Sequence, residues 1–145
     1  MNKFTLISPN FINNGFIPRD YSCTGNKVNP ELKWYNVPPT AKSLMLVLSD
    51  PDTLNPPFIH WIMYNIPSNS NGVSSGQIIG NQGLNSGNQF NYTPICPPPG
   101  QTHRYIFHLL ALDTIIPTNN NFTQLWQSAQ NHIIDSTYLT GFYSR

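Results

Sequence analysis

Four side chains that suit the binding of an oxygen-rich ligand stand at the ends of apolar segments. Asp50 closes the segment SLMLVLSD, His60 lies near the start of FIHWIMYNIP, and His103 and Tyr105 open HRYIFHLLALD. Imidazole N–H and phenol O–H groups donate hydrogen bonds to anion oxygens, and a carboxylate holds a histidine in its donating tautomer. If the three segments are neighbouring strands, these residues form one polar cluster at the end of an otherwise apolar sandwich.

The same residue types also support two other chemistries. Cys96 with a histidine and an aspartate is a set of nucleophile, base and orienting group, as in a Cys/His-dependent hydrolase. A buried structural thiol, or a disulfide with Cys23, is the competing interpretation, because no predicted helix N-terminus lowers the pKa of Cys96. Two histidines and one aspartate also match a three-ligand metal site.

Several polar residues have simpler interpretations. We interpret His108 and His132 as structural, since a lone histidine in an apolar setting is more often hydrogen-bonded than functional. Arg104 is predicted to lie on the strand face opposite His103 and to pair with an acid such as Asp52 or with loop carbonyls. The turn-forming residues of the segment SDPDT would by themselves explain Asp50.

The elements that must position these residues are mostly strands. Apolar runs bounded by Pro, Asn and Gly predict strands at residues 4–8, 31–38, 43–50, 58–67, 103–113 and 138–144. Because side chains alternate along a strand, His60 is predicted to share a face with Phe58, Ile62 and Tyr64.

One helix is predicted, within residues 120–134. Its apolar residues follow the helical period, and Asn121 is predicted to cap its start, with Gln124 as partner. Residues 68–94 form a long Gly/Ser/Asn-rich loop region. The predicted fold is mainly β: an antiparallel β-sandwich with a C-terminal helix and long loops, in a single domain over residues 1–145.

Charge and hydropathy exclude several classes of protein. Charged residues make up 9% of the chain and the formal net charge is +1. This charge gives no basis for binding nucleic acid. No apolar run approaches the ~20 residues of a transmembrane helix. The N-terminal stretch is predicted to be a strand rather than a signal peptide, and two distant cysteines are not a disulfide framework, so we predict a cytoplasmic location.

Two motifs resemble those of the phosphatidylethanolamine-binding protein family. The segment SDPDTLNPPFIHWIMYNIP is similar to the Asp-Pro-Asp signature, and CPPPGQTHRYIFHLLALD is similar to the second signature of Pro-Pro-x-Gly followed by His-Arg-Tyr. YSCTGNKVNPELKW and the tail HIIDSTYLTGFYSR resemble the bacterial and archaeal branch, which contains the Raf kinase inhibitor-like proteins.

The resemblance implies a small anion pocket at one end of the sandwich. The residues it places there are Asp50, Phe58, His60, Tyr92, Cys96, Pro97, Pro98, His103 and Tyr105. It implies a non-enzymatic protein without metal or other cofactor that binds phosphate- or phosphoethanolamine-like groups. It also implies a protein partner such as a kinase, with a protease-inhibitor or adaptor role as the alternative, and a homodimer.

Two departures from the family pattern concern the pocket. Phe58 stands where the family often has a tryptophan, which removes an indole donor. Thr93, Pro94 and Ile95 replace a Gly-Gly-Pro that is frequent in bacterial relatives, and this bulk in place of flexible backbone argues against donation by backbone N–H groups there.

Overall fold

The computed structural model describes residues 2–117 and 121–145, which form two β-sheets and one α-helix. The strands and the helix are β1 Thr5–Ile7, β2 Gly15–Phe16, β3 Leu32–Tyr35, β4 Ser43–Asp50, β5 Phe58–Pro67, β6 Gly72–Val73, β7 Asn81–Gln82, β8 Thr102–Leu112, α1 Phe122–Ala129 and β9 Ile133–Ser144. Short 3₁₀ turns occupy Arg19–Tyr21 and Gln130–His132.

The sheets pack as three layers with the helix. A three-stranded sheet has the order β1-β3-β6, and a six-stranded sheet has the order β2-β9-β8-β4-β5-β7. Neighbouring strands are antiparallel except β2 and β9, which pair in parallel. One core cluster includes Trp34, Leu46 and Phe107, and a second joins the large sheet to Leu125 and Ala129 of α1. The prediction of a mainly β sandwich with a C-terminal helix is confirmed.

The central strand β4 shows why its sequence is almost continuously apolar. All of its residues except Ser49 are buried. Leu46 and Leu48 belong to the first cluster, and Met45 and Val47 belong to the second. A strand covered on both faces needs apolar side chains at successive positions, not only at alternate ones.

The C-terminal part of the chain departs from its prediction in length. The Asn121 side chain caps α1 by accepting a hydrogen bond from the Gln124 N–H at 2.9 Å, as predicted. Residue 120, at the start of the predicted helical segment, lies outside the described residues. Ile133 continues the helical period in the sequence but begins β9, which is longer than the predicted strand at 138–144. The twelve residues of β9 pair with β8 along almost its whole length, and this pairing overrides the helical pattern.

The strand order brings the predicted polar residues to one edge. β5 and β8 flank β4 and run antiparallel to it. The end of β4 therefore meets the starts of both neighbours, so that Asp50, His60 and His103 lie at the same edge of the large sheet. With eight residues, α1 cannot cross a membrane, and no other helix in the described ranges is long and apolar enough to do so.

A β-bulge at His60 gives its side chain a different orientation from the predicted one. Ser49 pairs with Ile59, whereas Leu48 pairs with Trp61, so β5 contains one extra residue at this point. Ile62 and Tyr64 lie in the cluster beneath α1, while the ring of His60 contacts Tyr105 in the cluster between the sheets. The prediction that His60 shares a face with Ile62 and Tyr64 is wrong, because a bulge shifts the alternation by one position.

Candidate functional site: a cavity at the edge of the large sheet

A buried aspartate–histidine pair joins the end of β4 to the start of β8. His103 Nδ1 lies 2.6 Å from Asp50 Oδ2, and the two side chains are only 4% and 2% exposed. The other carboxylate oxygen, Oδ1, accepts the Asp52 N–H at 2.8 Å. Asp50 therefore holds the His103 ring with Nδ1 as donor. His103 Nε2 lies 2.8 Å from the amide of the exposed Gln101.

His60 is held from its other side by a loop. Its Nδ1 lies 2.8 Å from the carbonyl oxygen of Thr93, and its own carbonyl accepts the Thr93 N–H at 2.9 Å. Burial lowers the pKa of His60, and the Thr93 hydrogen bond and the Asp50 charge oppose that shift only in part. The ring packs edge-on against Phe58 and Tyr105, with centroid distances of 4.7 and 5.5 Å.

These groups line a small cavity that shares Thr53, Phe58, Pro98 and His103 with a larger neighbouring cavity. We call the smaller one the inner cavity and the larger one the outer cavity. The inner cavity has a volume of about 170 Å³ and the outer one about 420 Å³. The inner cavity is lined by Asp50, Thr53, Phe58, His60, Thr93, Pro94, Cys96, Pro98 and His103. The outer cavity is lined by Asp52, Thr53, Leu54, Asn55, Phe58, Pro98, Gln101 and His103.

Two hydroxyl groups beside the cavity are buried and unpartnered. Thr53 Oγ1 and Tyr105 Oη make no well-formed hydrogen bond with the described residues. Burial raises the pKa of Tyr105, and the nearby Asp50 carboxylate raises it further, so the phenol stays protonated. A buried hydroxyl without a partner is costly, and a ligand oxygen in the cavity would satisfy that of Thr53. The Tyr105 hydroxyl lies beside the Asp50 carboxylate instead.

The predicted site residues are not all brought together. Tyr105 packs behind the two histidine rings, and Cys96 and Pro98 form part of the cavity wall. Pro97 is buried but does not line the inner cavity. Tyr92 lies elsewhere: its hydroxyl donates to the Tyr21 carbonyl at 2.7 Å, and burial raises its pKa.

The two departures from the family pattern both fall on the cavity wall. Phe58 lines the cavity with an apolar ring. The Thr93 N–H is already bonded to the His60 carbonyl, and Pro94 has no N–H group. Neither residue therefore offers a free backbone donor to the cavity.

The cysteines pair with each other. Cys23 and Cys96 form a disulfide with a Cα–Cα distance of 5.4 Å. The Cys23 N–H also donates to the Ile95 carbonyl at 3.1 Å. The disulfide, one of the alternatives left open by the sequence, ties the Pro-rich wall to the segment after the first 3₁₀ turn.

The remaining charged residues of the motifs do not line the inner cavity. Arg104 binds both carboxylate oxygens of Asp52, at 2.8 and 3.1 Å, as predicted. That hydrogen-bonded ion pair lowers the pKa of Asp52 and raises that of Arg104. His132 pairs with Asp113 at the surface, and His108 stacks on Tyr138 with a centroid distance of 4.0 Å.

Asn85 supports the cavity wall and was missed by the sequence reasoning. Its buried Nδ2 group lies 2.8–3.0 Å from His60 O, Asn91 O and Thr93 Oγ1. Its Oδ1 accepts two backbone N–H groups of its own loop. The turn-forming segment NSGN was the available signal, but it marks a loop and does not say what the loop supports.

Replacement of Asn85 by alanine should therefore loosen both the loop and the ring of His60. We expect Asn85→Ala to lower the free energy of unfolding by about 2 kcal/mol, since buried carbonyls lose their donors. Urea unfolding measures this loss. Asn91→Ala is the matched control, because the exposed Asn91 takes part through its carbonyl. Equal stability of the two variants would contradict a supporting role for Asn85.

No group of three or more His, Cys, Asp or Glu side chains within residues 2–117 and 121–145 is arranged to hold a metal ion. Asp50 and His103 bond to each other, and His60 Nδ1 is bonded to a backbone carbonyl. The geometry thus offers hydrogen-bond donors and acceptors to a ligand instead of a set of metal ligands.

Comparisons with known proteins agree with this architecture. The phosphatidylethanolamine-binding protein family model matches residues 7–144. A UPF0098 protein of Chlamydia pneumoniae is 38% identical over 97% of this chain and 98% of its own. A UPF0098 protein of Methanothermobacter thermautotrophicus is 35% identical over 93% and 95%.

Solved structures of relatives share the fold along the whole chain. A phosphatidylethanolamine-binding protein homologue from Chlamydia trachomatis has a TM-score of 0.95 and 36% identity, covering 100% of this chain and 99% of its own. Escherichia coli YbcL, at 23% identity and a TM-score of 0.91, shows the same fold over 99% of each chain. The sequence motifs, the fold and these matches together place the chain in the phosphatidylethanolamine-binding protein family.

Proposed function

We propose that the protein is a non-enzymatic binding module for a small anionic ligand of the phosphate or phosphoethanolamine type. The observation that carries this proposal is the inner cavity, whose walls combine the Asp50–His103 pair and His60 with the unpartnered hydroxyl of Thr53. Hydroxyl and imidazole donors suit anion oxygens.

The dimensions of the two cavities support a ligand with a compact head. A water molecule occupies ~30 Å³ in the liquid, so the inner volume of about 170 Å³ accommodates a tetrahedral group of four oxygens. The outer cavity offers the fully exposed Leu54, together with Phe58 and Pro98, to the organic part of the ligand. Gln101, which is exposed, can release His103 Nε2 to a ligand oxygen.

Calorimetric titration with phosphate and phosphoethanolamine tests the proposal. We expect affinity to fall between about pH 5.5 and pH 8, by up to about tenfold per pH unit for one linked proton. Affinity falls as the pH rises because the bound anion is stabilised by one additional proton in the site, and that proton is lost at higher pH. His60→Ala should abolish binding, and His132→Ala, at an exposed pair outside the cavity, should leave it unchanged. Absence of binding to the folded wild type at every pH would refute the proposal.

A Cys/His-dependent hydrolase needs a free cysteine, and Cys96 is in a disulfide. Covalent catalysis by Cys96 needs a thiolate, and the Cys96 sulfur is bonded to Cys23. Its position in the cavity wall is accounted for by the disulfide, which anchors the Pro-rich segment. For this reason we favour binding over catalysis at the cavity.

Other implications of the family resemblance stay predictions. Regulation of a kinase, a protease-inhibitor or adaptor role, and a homodimer do not follow from the cavity. A cytoplasmic location also stays a prediction, and the disulfide between Cys23 and Cys96 counts against it, because disulfides are rare in the cytosol of most organisms.

A further inference from the structure

The hydrogen bond to Thr93 determines which nitrogen of His60 carries the proton. A carbonyl oxygen only accepts, so Nδ1 at 2.8 Å from it must be the donor. His60 is only 6% exposed, and burial lowers its pKa, which makes the neutral ring the form present at neutral pH. A neutral imidazole has one N–H group. Nε2 of His60 is therefore a bare acceptor and repels, rather than binds, an anion oxygen that lacks a proton.

The charges around His60 do not offset a second negative charge on the ligand. The ionisable groups that face it are Asp50 at the end of β4 and His103 and Tyr105 on β8. No lysine or arginine is among the described residues that line the inner cavity. Arg104 is already bound to Asp52. A dianion would thus lie close to the Asp50 carboxylate with no lysine or arginine of the inner cavity to balance it.

A hydroxyl group completes an asymmetric set of hydrogen-bonding sites. Thr53 Oγ1, which belongs to a residue lining the inner cavity, is a donor without a partner among the described residues. His60 Nε2 is an acceptor in need of a donor. A ligand that satisfies both needs an acceptor oxygen and one O–H group of its own.

We infer that the inner cavity selects a phosphate monoester in its singly protonated form, with the ligand's own P–O–H group donating to Nε2 of His60. This inference rests on the proposed function and names its ligand class. Phosphate diesters and sulfate esters are monoanions without that proton, and carboxylates lack it as well. Above the second pKa of a phosphate monoester, about 6, binding would take up one proton from the buffer.

A comparison of phenyl phosphate with phenyl sulfate tests whether the proton taken up on binding resides on the ligand or on a histidine of the protein. The two esters have similar size and shape, but only the phosphate can carry a proton at neutral pH. By calorimetry at about pH 7, we expect phenyl phosphate to bind about tenfold or more tightly than phenyl sulfate, since the sulfate leaves His60 Nε2 facing an unprotonated oxygen. Equal affinities for the two esters would overturn the inference and leave the proposed anion site intact.

The phosphorus nucleus reports the protonation state directly. We expect the ³¹P chemical shift of bound phenyl phosphate to stay at its monoanion value at about pH 8, where the free ligand is a dianion. A dianion shift in the complex would overturn the inference. Failure of both esters to bind the folded protein would refute the proposed function together with it.

Substitution of His60 by glutamine adds a test at the residue itself. A glutamine amide offers an N–H donor in place of the bare nitrogen, so the preference for phenyl phosphate over phenyl sulfate should shrink severalfold. His132→Gln is the matched control, with the wild-type preference expected. An unchanged preference in a folded His60→Gln variant would contradict the assigned role. If that variant does not fold, the wild-type comparison of the two esters decides alone.

Discussion

We expect His103→Ala to lower the free energy of unfolding at neutral pH by about 3 kcal/mol. The substitution leaves the Asp50 carboxylate buried without its ion-pair partner, although the Asp52 N–H still donates to Oδ1. Removal of one partner of a buried ion pair costs more than the pair itself contributes, because the remaining charge has lost its water and its neighbour. Urea unfolding of the variant and the wild type measures the loss.

The chain offers a matched control at its surface. His132 and Asp113 lie 2.8 Å apart, but these side chains are 46% and 49% exposed. Water screens such a pair, so His132→Ala should cost about 0–1 kcal/mol. Asp50→Asn added to His103→Ala should recover part of the loss by removing the stranded charge. Similar losses in the two histidine variants would show that burial of the Asp50–His103 pair has no energetic consequence.

Reduction of the Cys23–Cys96 disulfide should have the second large effect. The bond closes a loop between residues 73 positions apart. Loop-closure entropy gives it up to about 4 kcal/mol of stabilisation, which corresponds to a fall in Tm of roughly 10 °C for a chain of this size. Thermal unfolding with and without reductant measures this effect.

The control is a variant with both cysteines replaced by serine. It should unfold at the temperature of the reduced wild type and should not respond to reductant. Thiol titration must detect both cysteines in the reduced sample. An unchanged Tm with both thiols released would contradict the stabilising role.

The sequence predicted the features that depend on local patterns. Long buried strands such as β4 need continuous apolar residues, and these runs are visible in the sequence. The neighbourhood of Asp50, His60 and His103 followed from the positions of polar residues at strand ends. The Arg104–Asp52 pair followed from alternation within a regular strand.

The features that were missed depend on contacts between distant segments. The bulge at His60 arises from pairing with β4 and has no mark in the sequence of β5. Asn85 acts on a histidine 25 positions away, and the pairing of Cys23 with Cys96 needs the fold to bring them together. Tyr92 was placed by proximity to the Pro-rich loop, but its side chain points to the Tyr21 carbonyl.

The bulge at His60 sets the alternation of side chains along β5, and both the cavity and the core beneath α1 depend on that alternation. Removal of one residue from β5 would reverse the direction of every side chain on one side of the deletion. Either His60 would leave the cavity, or Ile62 and Tyr64 would turn away from α1. Point substitutions at these positions alter one contact at a time, but an insertion or deletion in β5 forces a choice between the ligand site and the core beneath the helix.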